Sequence, residues 1–183
     1  MRQQPVKQRE YGEARLLYER AVAIREKALG GENPLVASTL YRLANVLQKT
    51  GDLNEARAYY ERALAIREKA FGSEHKSLRS TLWRLGVISL ALGDRVGAEP
   101  LFQRALSIKK KNAGSDAPGF VYDQACYSAL TGDREGAIHL LRRAVDLGYQ
   151  SEWIARDPDL DSLHGDPAFE AIVAEVKRRV ASK

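Results

Sequence analysis

Residues 13–30 read EARLLYERAVAIREKALG, and residues 55–72 read EARAYYERALAIREKAFG. The two segments start 42 residues apart and agree at fourteen of eighteen positions. A third copy at 97–114, GAEPLFQRALSIKKKNAG, keeps seven of the eighteen, and a weaker fourth copy follows at a spacing of 39 residues. Self-similarity at a fixed period indicates an array of stacked structural units.

A second kind of segment lies between these copies, namely LYRLANVLQKTGD at 40–52, LWRLGVISLALGD at 82–94 and VYDQACYSALTGD at 121–133. Apolar or small residues recur in it at i, i+3, i+4 and i+7, as in Leu40, Leu43, Ala44 and Leu47, which predicts an amphipathic helix. The EARLL kind shows the same spacing. We call the LYRLA kind the first-type helix of a repeat and the EARLL kind the second-type helix. We expect helices near 10–30, 33–50, 53–71, 75–92, 95–112, 117–130, 134–148 and 166–181.

Helix boundaries are marked by glycine, asparagine and aspartate. Asn33 before Pro34 predicts an N-cap followed by proline at the first helical position. Glycine favours the positive φ that follows a helix end, and aspartate can cap the next helix. This interpretation applies to Gly51-Asp52, Gly93-Asp94 and Gly132-Asp133, and Asp116 is expected to cap the helix that starts near Pro118.

The composition of the 183 residues excludes several classes of protein. A hydrophobic content of 44% with 29% charged residues excludes a disordered chain, and no apolar run reaches the roughly 20 residues of a membrane span. One cysteine, Cys126, excludes an internal disulfide framework and fits a reducing compartment, so we expect a cytoplasmic protein. The net charge of +5 is divided unevenly, because residues 1–114 carry 21 Lys and Arg against 12 Asp and Glu, whereas residues 115–183 carry 8 against 12. The basic part could attract nucleic acid, anionic lipid or acidic peptides.

No motif for catalysis, cofactor binding or metal binding is found. The chain has no glycine-rich phosphate loop, no GxSxG, no HExxH and no cysteine pair. Its histidines His75, His139 and His164 are far apart in sequence, and Cys126 is interpreted as a small packing residue. The alternating aspartates of the tail lack the glycine and the terminal glutamate of a calcium loop, so we interpret them as turn and cap residues. These aspartates are Asp157, Asp159, Asp161 and Asp166. We therefore expect no enzyme, no cofactor and no metal.

Small residues keep gaps of 12 and 7 in every complete copy, as in Ala44, Ala56 and Ala63. This spacing resembles the tetratricopeptide repeat (TPR), and the 42-residue period with the AIREKALG ending is similar to the kinesin-light-chain variety of that family. The resemblance covers about residues 11–148. It implies an all-α fold, a right-handed α-solenoid of antiparallel helix pairs. It also implies that the first-type helices line a concave groove that holds an extended peptide.

The resemblance divides the chain into a leader (1–9), a repeat array (10–148) and a C-terminal capping segment (149–183). Within the array we expect a half repeat at 10–32 and repeats at 33–74, 75–116 and 117–148. The tail resembles the closing segment of some bacterial TPR arrays attached to signalling or regulatory proteins. Its apolar residues are expected to cover the last repeat, which needs a capping element: Leu160, Leu163, Phe169, Ile172 and Val176. The half repeat lacks its first-type helix, so either residues 5–9 fray or the chain is the C-terminal part of something longer.

The expected groove carries a second stripe beside the core stripe of each first-type helix. Aromatic residues with neighbouring arginines favour a ligand that has acidic and large apolar side chains. Alternatively, Tyr41 and Trp83 simply pack between repeats. The predicted groove residues are Tyr41, Arg42, Asn45, Gln48, Trp83, Arg84, Val87 and Tyr122.

These patterns favour a non-enzymatic interaction module that binds a peptide segment of a partner protein, with an acidic partner preferred. The alternative is a C-terminal scaffold or self-association segment of a larger bacterial regulatory protein, in which the open first helix could form a homo-oligomer through Leu16, Leu17 and Val22. Nucleic-acid binding by the basic part would show a steep loss of affinity with salt, and we do not expect it. No membrane partner is expected.

Overall fold

A computed structural model describes residues 4–182, with side chains from residue 8 onward. These residues form α-helices joined by short turns and three 3₁₀ segments, and none of them lies in a strand. The all-α class predicted from the sequence is therefore confirmed. The helices are α1 (Gln4–Leu29), α2 (Pro34–Thr50), α3 (Leu53–Phe71), α4 (Arg79–Ala91), α5 (Arg95–Ala113), α6 (Pro118–Thr131), α7 (Arg134–Asp146) and α8 (Pro167–Ala181).

Two boundaries differ from the sequence-based expectation. α1 begins at Gln4, so the helix includes residues 4–9, which the sequence pattern assigns to a leader; residues 1–3 lie outside the described range. The helix expected at 75–92 opens with a 3₁₀ segment at Lys76–Leu78, and α4 proper begins at Arg79. His75 caps this segment, because its Nδ1 accepts a hydrogen bond from the Ser77 N–H at 3.2 Å.

The caps of α2 are as predicted. The Asn33 side chain accepts from the Leu35 N–H at 2.9 Å, and Pro34 occupies the first turn. Gly51 ends the helix with φ of 90°, and its N–H returns to the carbonyls of Leu47 and Gln48. Because an L-residue with a side chain is strained at this φ, glycine is required here.

Of the three predicted Gly-Asp caps, the aspartate side chain caps the next helix only where a glycine follows three residues later. Asp94 and Asp133 accept from the N–H groups of Gly97 and Gly136 at 2.8 and 3.0 Å. A Cβ at either glycine would collide with the capping carboxylate. Glu55 stands at the corresponding place in the first complete repeat, where Asp52 makes no side-chain cap.

The expectation that Asp116 caps α6 is wrong. The N-cap residue is Ala117, which makes no side-chain cap, whereas the Asp116 carboxylate accepts from Arg143 at 2.8 Å. An ion pair to the following second-type helix has replaced the local cap.

The chain forms two compact units, one ending at Ile108 and the other beginning at Lys109. In the first unit α2 packs against α1 and α3, and α3 packs against α4. The small residues Ala44, Ala56 and Ala63 have no exposed surface, and Ala44 and Ala56 lie in one cluster with the buried ring of Tyr60. Close approach of these backbones leaves room for one large ring per repeat.

In the second unit α6 packs against α7, α7 against α8, and α6 against the 3₁₀ segment Pro158–Leu163. The tail residues predicted to cover the last repeat are buried, with at most 1% of their surface exposed: Leu160, Leu163, Phe169, Ile172 and Val176. Asp157 and Asp166 cap the helical segments that follow them, as expected for turn aspartates.

We predict that Gly86→Ala destabilises the chain by about 1 kcal/mol. A Cβ at Gly86 would lie 2.8–2.9 Å from ring atoms of Phe102, which is fully buried. Overpacking of this kind costs about 1–3 kcal/mol, which exceeds the gain of about 1 kcal/mol in helix propensity. The midpoint of urea unfolding measures the difference.

The matched control is Gly12→Ala in α1, where no heavy atom outside the local helix lies within 4 Å of the added Cβ. This substitution should stabilise by up to about 1 kcal/mol through helix propensity alone. Equal stabilisation by both substitutions would show that Phe102 does not need the space at Gly86.

Candidate functional site

The aromatic residue of the predicted groove on α2 is held by α3. Tyr41 is half-buried, and its ring meets the ring of Tyr60 edge to face, with centroids 5.4 Å apart and planes at 63°. The guanidinium carbon of Arg67 lies 5.3 Å from the Tyr41 ring centroid. A cation over an aromatic face is attractive, so Tyr41 is fixed by two residues of the next helix.

The two predicted amides on α2 also contact α3. The Tyr60 hydroxyl donates to Asn45 Oδ1 at 2.8 Å and to Gln48 Oε1 at 3.3 Å. Asn45 Nδ2 donates to the Tyr41 carbonyl at 2.9 Å. These amides therefore satisfy a mostly buried hydroxyl, and only their remaining N–H groups can serve a ligand.

On α4, Trp83 is only 9% exposed. Its ring meets Phe102 of α5 edge to face, with centroids 4.9 Å apart and planes at 79°. Val87, one turn later, is half-buried. Trp83 thus repeats the contact between Tyr41 and Tyr60 one period later, and in both cases the ring packs on the second-type helix of its own repeat.

Arg42 and Arg84 follow these two aromatic residues in the sequence, and each arginine is more exposed than the aromatic residue before it. Arg42 is exposed, and within the described range 4–182 it makes no hydrogen bond or ion pair. Arg84, 42 residues later, is half-buried. Burial raises the pKa of the Tyr60 hydroxyl well above 10, and the nearby charge of Arg84 partly opposes that rise.

Tyr122 lies in the second unit and is only 6% exposed. Its hydroxyl donates to Asp157 Oδ2 at 2.7 Å, and its ring stacks on Tyr149 at 4.2 Å with planes at 9°. The tail that follows the last repeat has covered this ring. Tyr122 therefore offers almost no surface to a ligand.

Sequence reasoning missed a set of basic residues on the second-type helices. Arg25 donates to Thr39 at 2.6 Å, and Arg67 donates to Thr81 at 2.5 Å. After another 42 residues, Lys109 forms an ion pair with Asp123 at 3.4 Å. The signal is present in the sequence, because each pair keeps a separation of 14 residues. The periodicity of apolar residues, which predicts the helices, does not by itself pair these polar ones.

Cys126 and His75 have structural roles. Cys126 is buried, and burial raises the pKa of its thiol, which is opposite to what a nucleophile needs. His75 caps a helix and stacks on Phe71 at 4.8 Å. Among the described residues, no group of three or more His, Cys, Asp or Glu side chains could hold a metal ion. No helix in the described part of the chain has the length and apolarity to cross a membrane.

The sequence profile of the tetratricopeptide repeat family matches residues 6–69 and 35–111, which together span more than half of the chain. The chain belongs to the tetratricopeptide repeat family. The predicted TPR resemblance is thereby confirmed. No protein of curated function matches the TPR chain closely enough to count as a relative.

Solved structures support the kinesin-light-chain variety of the TPR fold. A Podosopora anserina protein described as a kinesin light chain with nearly identical TPR-like repeats is 25% identical, with a TM-score of 0.65 over 96% of this chain and 90% of that one. BtubC (BKLC) from P. vanneervenii gives a TM-score of 0.67 at 20% identity, over 96% of this chain and 75% of that one. MamA gives 0.52 at 16% identity, over 97% and 96%. The last two likenesses concern the fold alone.

We predict that Tyr60 makes the stability of this TPR chain sensitive to alkaline pH. The pKa of its hydroxyl is raised in the folded state, so its contribution is complete below the unfolded pKa of about 10 and is lost as the pH rises above that value. The free energy of unfolding should fall by up to about 1.4 kcal/mol per pH unit for this group. Urea unfolding between pH 8 and 11 measures the slope.

Tyr60→Phe is the control. The variant should be less stable at pH 8, because Asn45 and Gln48 lose their donor, but it should lose less stability than the wild type as the pH rises. Parallel curves for the two proteins would mean that Tyr60 ionises as easily in the folded chain as in the unfolded one.

Proposed function

We propose that this protein is a non-enzymatic interaction module whose first unit binds an extended peptide segment with acidic and aromatic side chains. The site is the α2–α4 surface, which we define as Tyr41, Arg42, Asn45, Gln48, Trp83, Arg84 and Val87. Tyr122 is left out, because it is buried in the second unit. Membership of the TPR family supports a protein partner in general terms.

The observation that carries this proposal is the recurrence of arginine at Arg42 and Arg84, beside aromatic rings that packing holds in place. A guanidinium can bind a carboxylate through two parallel hydrogen bonds, and such bonds are stronger than neutral ones. Two arginines one repeat apart on equivalent helices suit a ligand with carboxylates spaced along an extended backbone. The two arginines are carried by helices, so the backbone positions of the two charges are set before a ligand binds.

The residues between the two arginines would orient the bound peptide, whereas the arginines would select its charge. Asn45 uses one of its two amide N–H groups on the Tyr41 carbonyl, so Asn45 and Gln48 each keep at least one amide N–H for a peptide carbonyl. The half-buried Tyr41 and Val87 offer apolar surface. The excess of basic residues before residue 115 would increase the rate of encounter with an acidic partner more than it would increase the affinity.

The free cysteine and its burial suit a reducing compartment, and we place the protein in the cytoplasm. The attachment of such arrays to bacterial regulatory proteins is the alternative setting, in which the chain would act as a scaffold segment. As a scaffold the chain would use the α2–α4 surface, whereas self-association would use the exposed Leu16 and Leu17 of α1.

The test is the charge reversal Arg42→Glu with Arg84→Glu. We expect a peptide library screened with the wild-type chain to yield sequences rich in Asp, Glu and aromatic residues. The double variant should bind those peptides at least tenfold more weakly, because carboxylates would then meet carboxylates. Fluorescence anisotropy measures the affinities, and circular dichroism checks the helix content.

The matched control is Lys49→Glu with Lys76→Glu, which changes the net charge equally at exposed positions near an end of α2 and before α4. It should keep most of the affinity. Equal weakening by both double variants would mean that net charge, and not the α2–α4 surface, attracts the peptides. Trp83→Ala is unsuitable as a binding probe, because removing a packed aromatic side chain costs about 3–5 kcal/mol of stability.

A further inference from the structure

The first unit contains an open pocket between α1 and α2, which we call the α1 pocket. It is lined by Tyr18, Ala21, Arg25, Thr39 and Arg42. Only Arg42 belongs to the α2–α4 surface as well. The other residues have no part in the function proposed above.

The same five residue types recur 42 positions later, as Tyr60, Ala63, Arg67, Thr81 and Arg84. In that second copy a tyrosine from the preceding first-type helix contacts two of them. Tyr41 lies edge to face on Tyr60 and beneath the guanidinium of Arg67. In the second copy, an aromatic side chain carried by a helix therefore contacts the tyrosine and the first arginine of this set.

Equivalent hydrogen bonds hold the first arginine of the set in both copies. Arg25 donates to Thr39 at 2.6 Å and to the Leu35 carbonyl at 3.0 Å. Arg67 donates to Thr81 at 2.5 Å and to the Ser77 carbonyl at 3.4 Å. The guanidinium of the α1 pocket is thus already oriented in the way that contacts a ring in the other copy.

Apolar surface beside the α1 pocket is exposed where its counterpart is covered. Ile24 is 57% exposed, whereas the equivalent Ile66 is 6% exposed and lies in a cluster with Val36 and Ala37 of α2. Leu17, on the same face of α1, is 68% exposed. No helix among residues 4–182 covers Ile24 as α2 covers Ile66.

Val22 does not belong to this exposed surface. The sequence-based expectation that Val22 is open is wrong, because it is only 8% exposed and packs on α2. The unpartnered face of α1 therefore consists of Leu17 and Ile24 with the exposed Arg20 between them.

The charge on this face indicates the partner's charge. Arg20 is exposed between Leu17 and Ile24, and its counterparts in the next two copies form ion pairs with glutamates of the preceding second-type helix: Arg62 with Glu26, and Arg104 with Glu68. Symmetric pairing of two α1 helices about the middle of this stripe would bring two Arg20 side chains together. A carboxylate-bearing partner suits the face better than a second copy does.

We propose that the α1 pocket is a docking site for an aromatic side chain on an amphipathic helix of a partner protein. The partner helix has the chemistry of α2: apolar or small residues five, four and one positions before the aromatic residue, as Val36, Ala37 and Leu40 precede Tyr41. Its apolar stripe covers Ile24 and Leu17, and a neighbouring carboxylate meets Arg20.

The test uses the full chain and a fluorescein-labelled synthetic peptide with the sequence of residues 33–52, which supplies the aromatic residue and the apolar stripe of the partner helix but no carboxylate beside them. We expect saturable binding by fluorescence anisotropy. Ile24→Asp in the chain should weaken it at least tenfold, whereas Val96→Asp, at an 88% exposed apolar position on α5, should leave it unchanged. A peptide with Tyr41→Ala should lose at least tenfold in affinity for the wild-type chain, and this arm leaves the chain itself unaltered.

Three results would overturn the proposal. The first is the absence of saturable binding, and the second is equal affinity for the Tyr41→Ala peptide. The third is a wild-type chain that dimerises in analytical ultracentrifugation and becomes monomeric on Ile24→Asp, because a second copy would then be the occupant. None of these results bears on the α2–α4 surface, since Ile24 lies outside it.

Discussion

The structure depends on one repeated contact, in which a large ring on α3 and on α5 is buried opposite a small residue on a first-type helix. Tyr60 lies in one cluster with Ala44, and the ring of Phe102 fills the space in which Gly86 would otherwise carry a Cβ. Each ring needs the small residue, because a protein interior packed at crystal density has no spare volume. The small residue in turn allows the two backbones to approach, so the helices of a pair can cross closely.

This contact also limits the candidate site. The sequence predicts that Tyr41 and Trp83 line a ligand groove. In the structure these two rings pack on Tyr60 and Phe102. In the proposed site, Arg42 and Arg84 beside them would therefore select the ligand. In the second unit the tail covers the Tyr122 ring: Asp157 accepts a hydrogen bond from its hydroxyl, and Tyr149 stacks on the ring.

Local signals in the sequence predicted the elements better than the contacts between them. Asn33 and Gly51 end their helices as expected, since a cap depends on residues within a single turn. Asp116 failed as a cap because an arginine 27 residues later takes its carboxylate. Asp52 failed where Glu55 replaces the glycine found in the other copies. The two 3₁₀ segments of the tail were not foreseen, because they follow the surface of the last repeat and have no period of their own.

By itself, the sequence determined the period, the two kinds of helix, their pairing through small residues, and the family, because these follow from spacings repeated along the chain. Only the tertiary structure decided which side chains remain accessible. Ile24 and Ile66 stand in almost identical segments, yet one is 57% exposed and the other 6%. Propensity and periodicity depend on the segment itself, whereas burial depends on its neighbours. Among residues 4–182, a helix covers Ile66 but not Ile24.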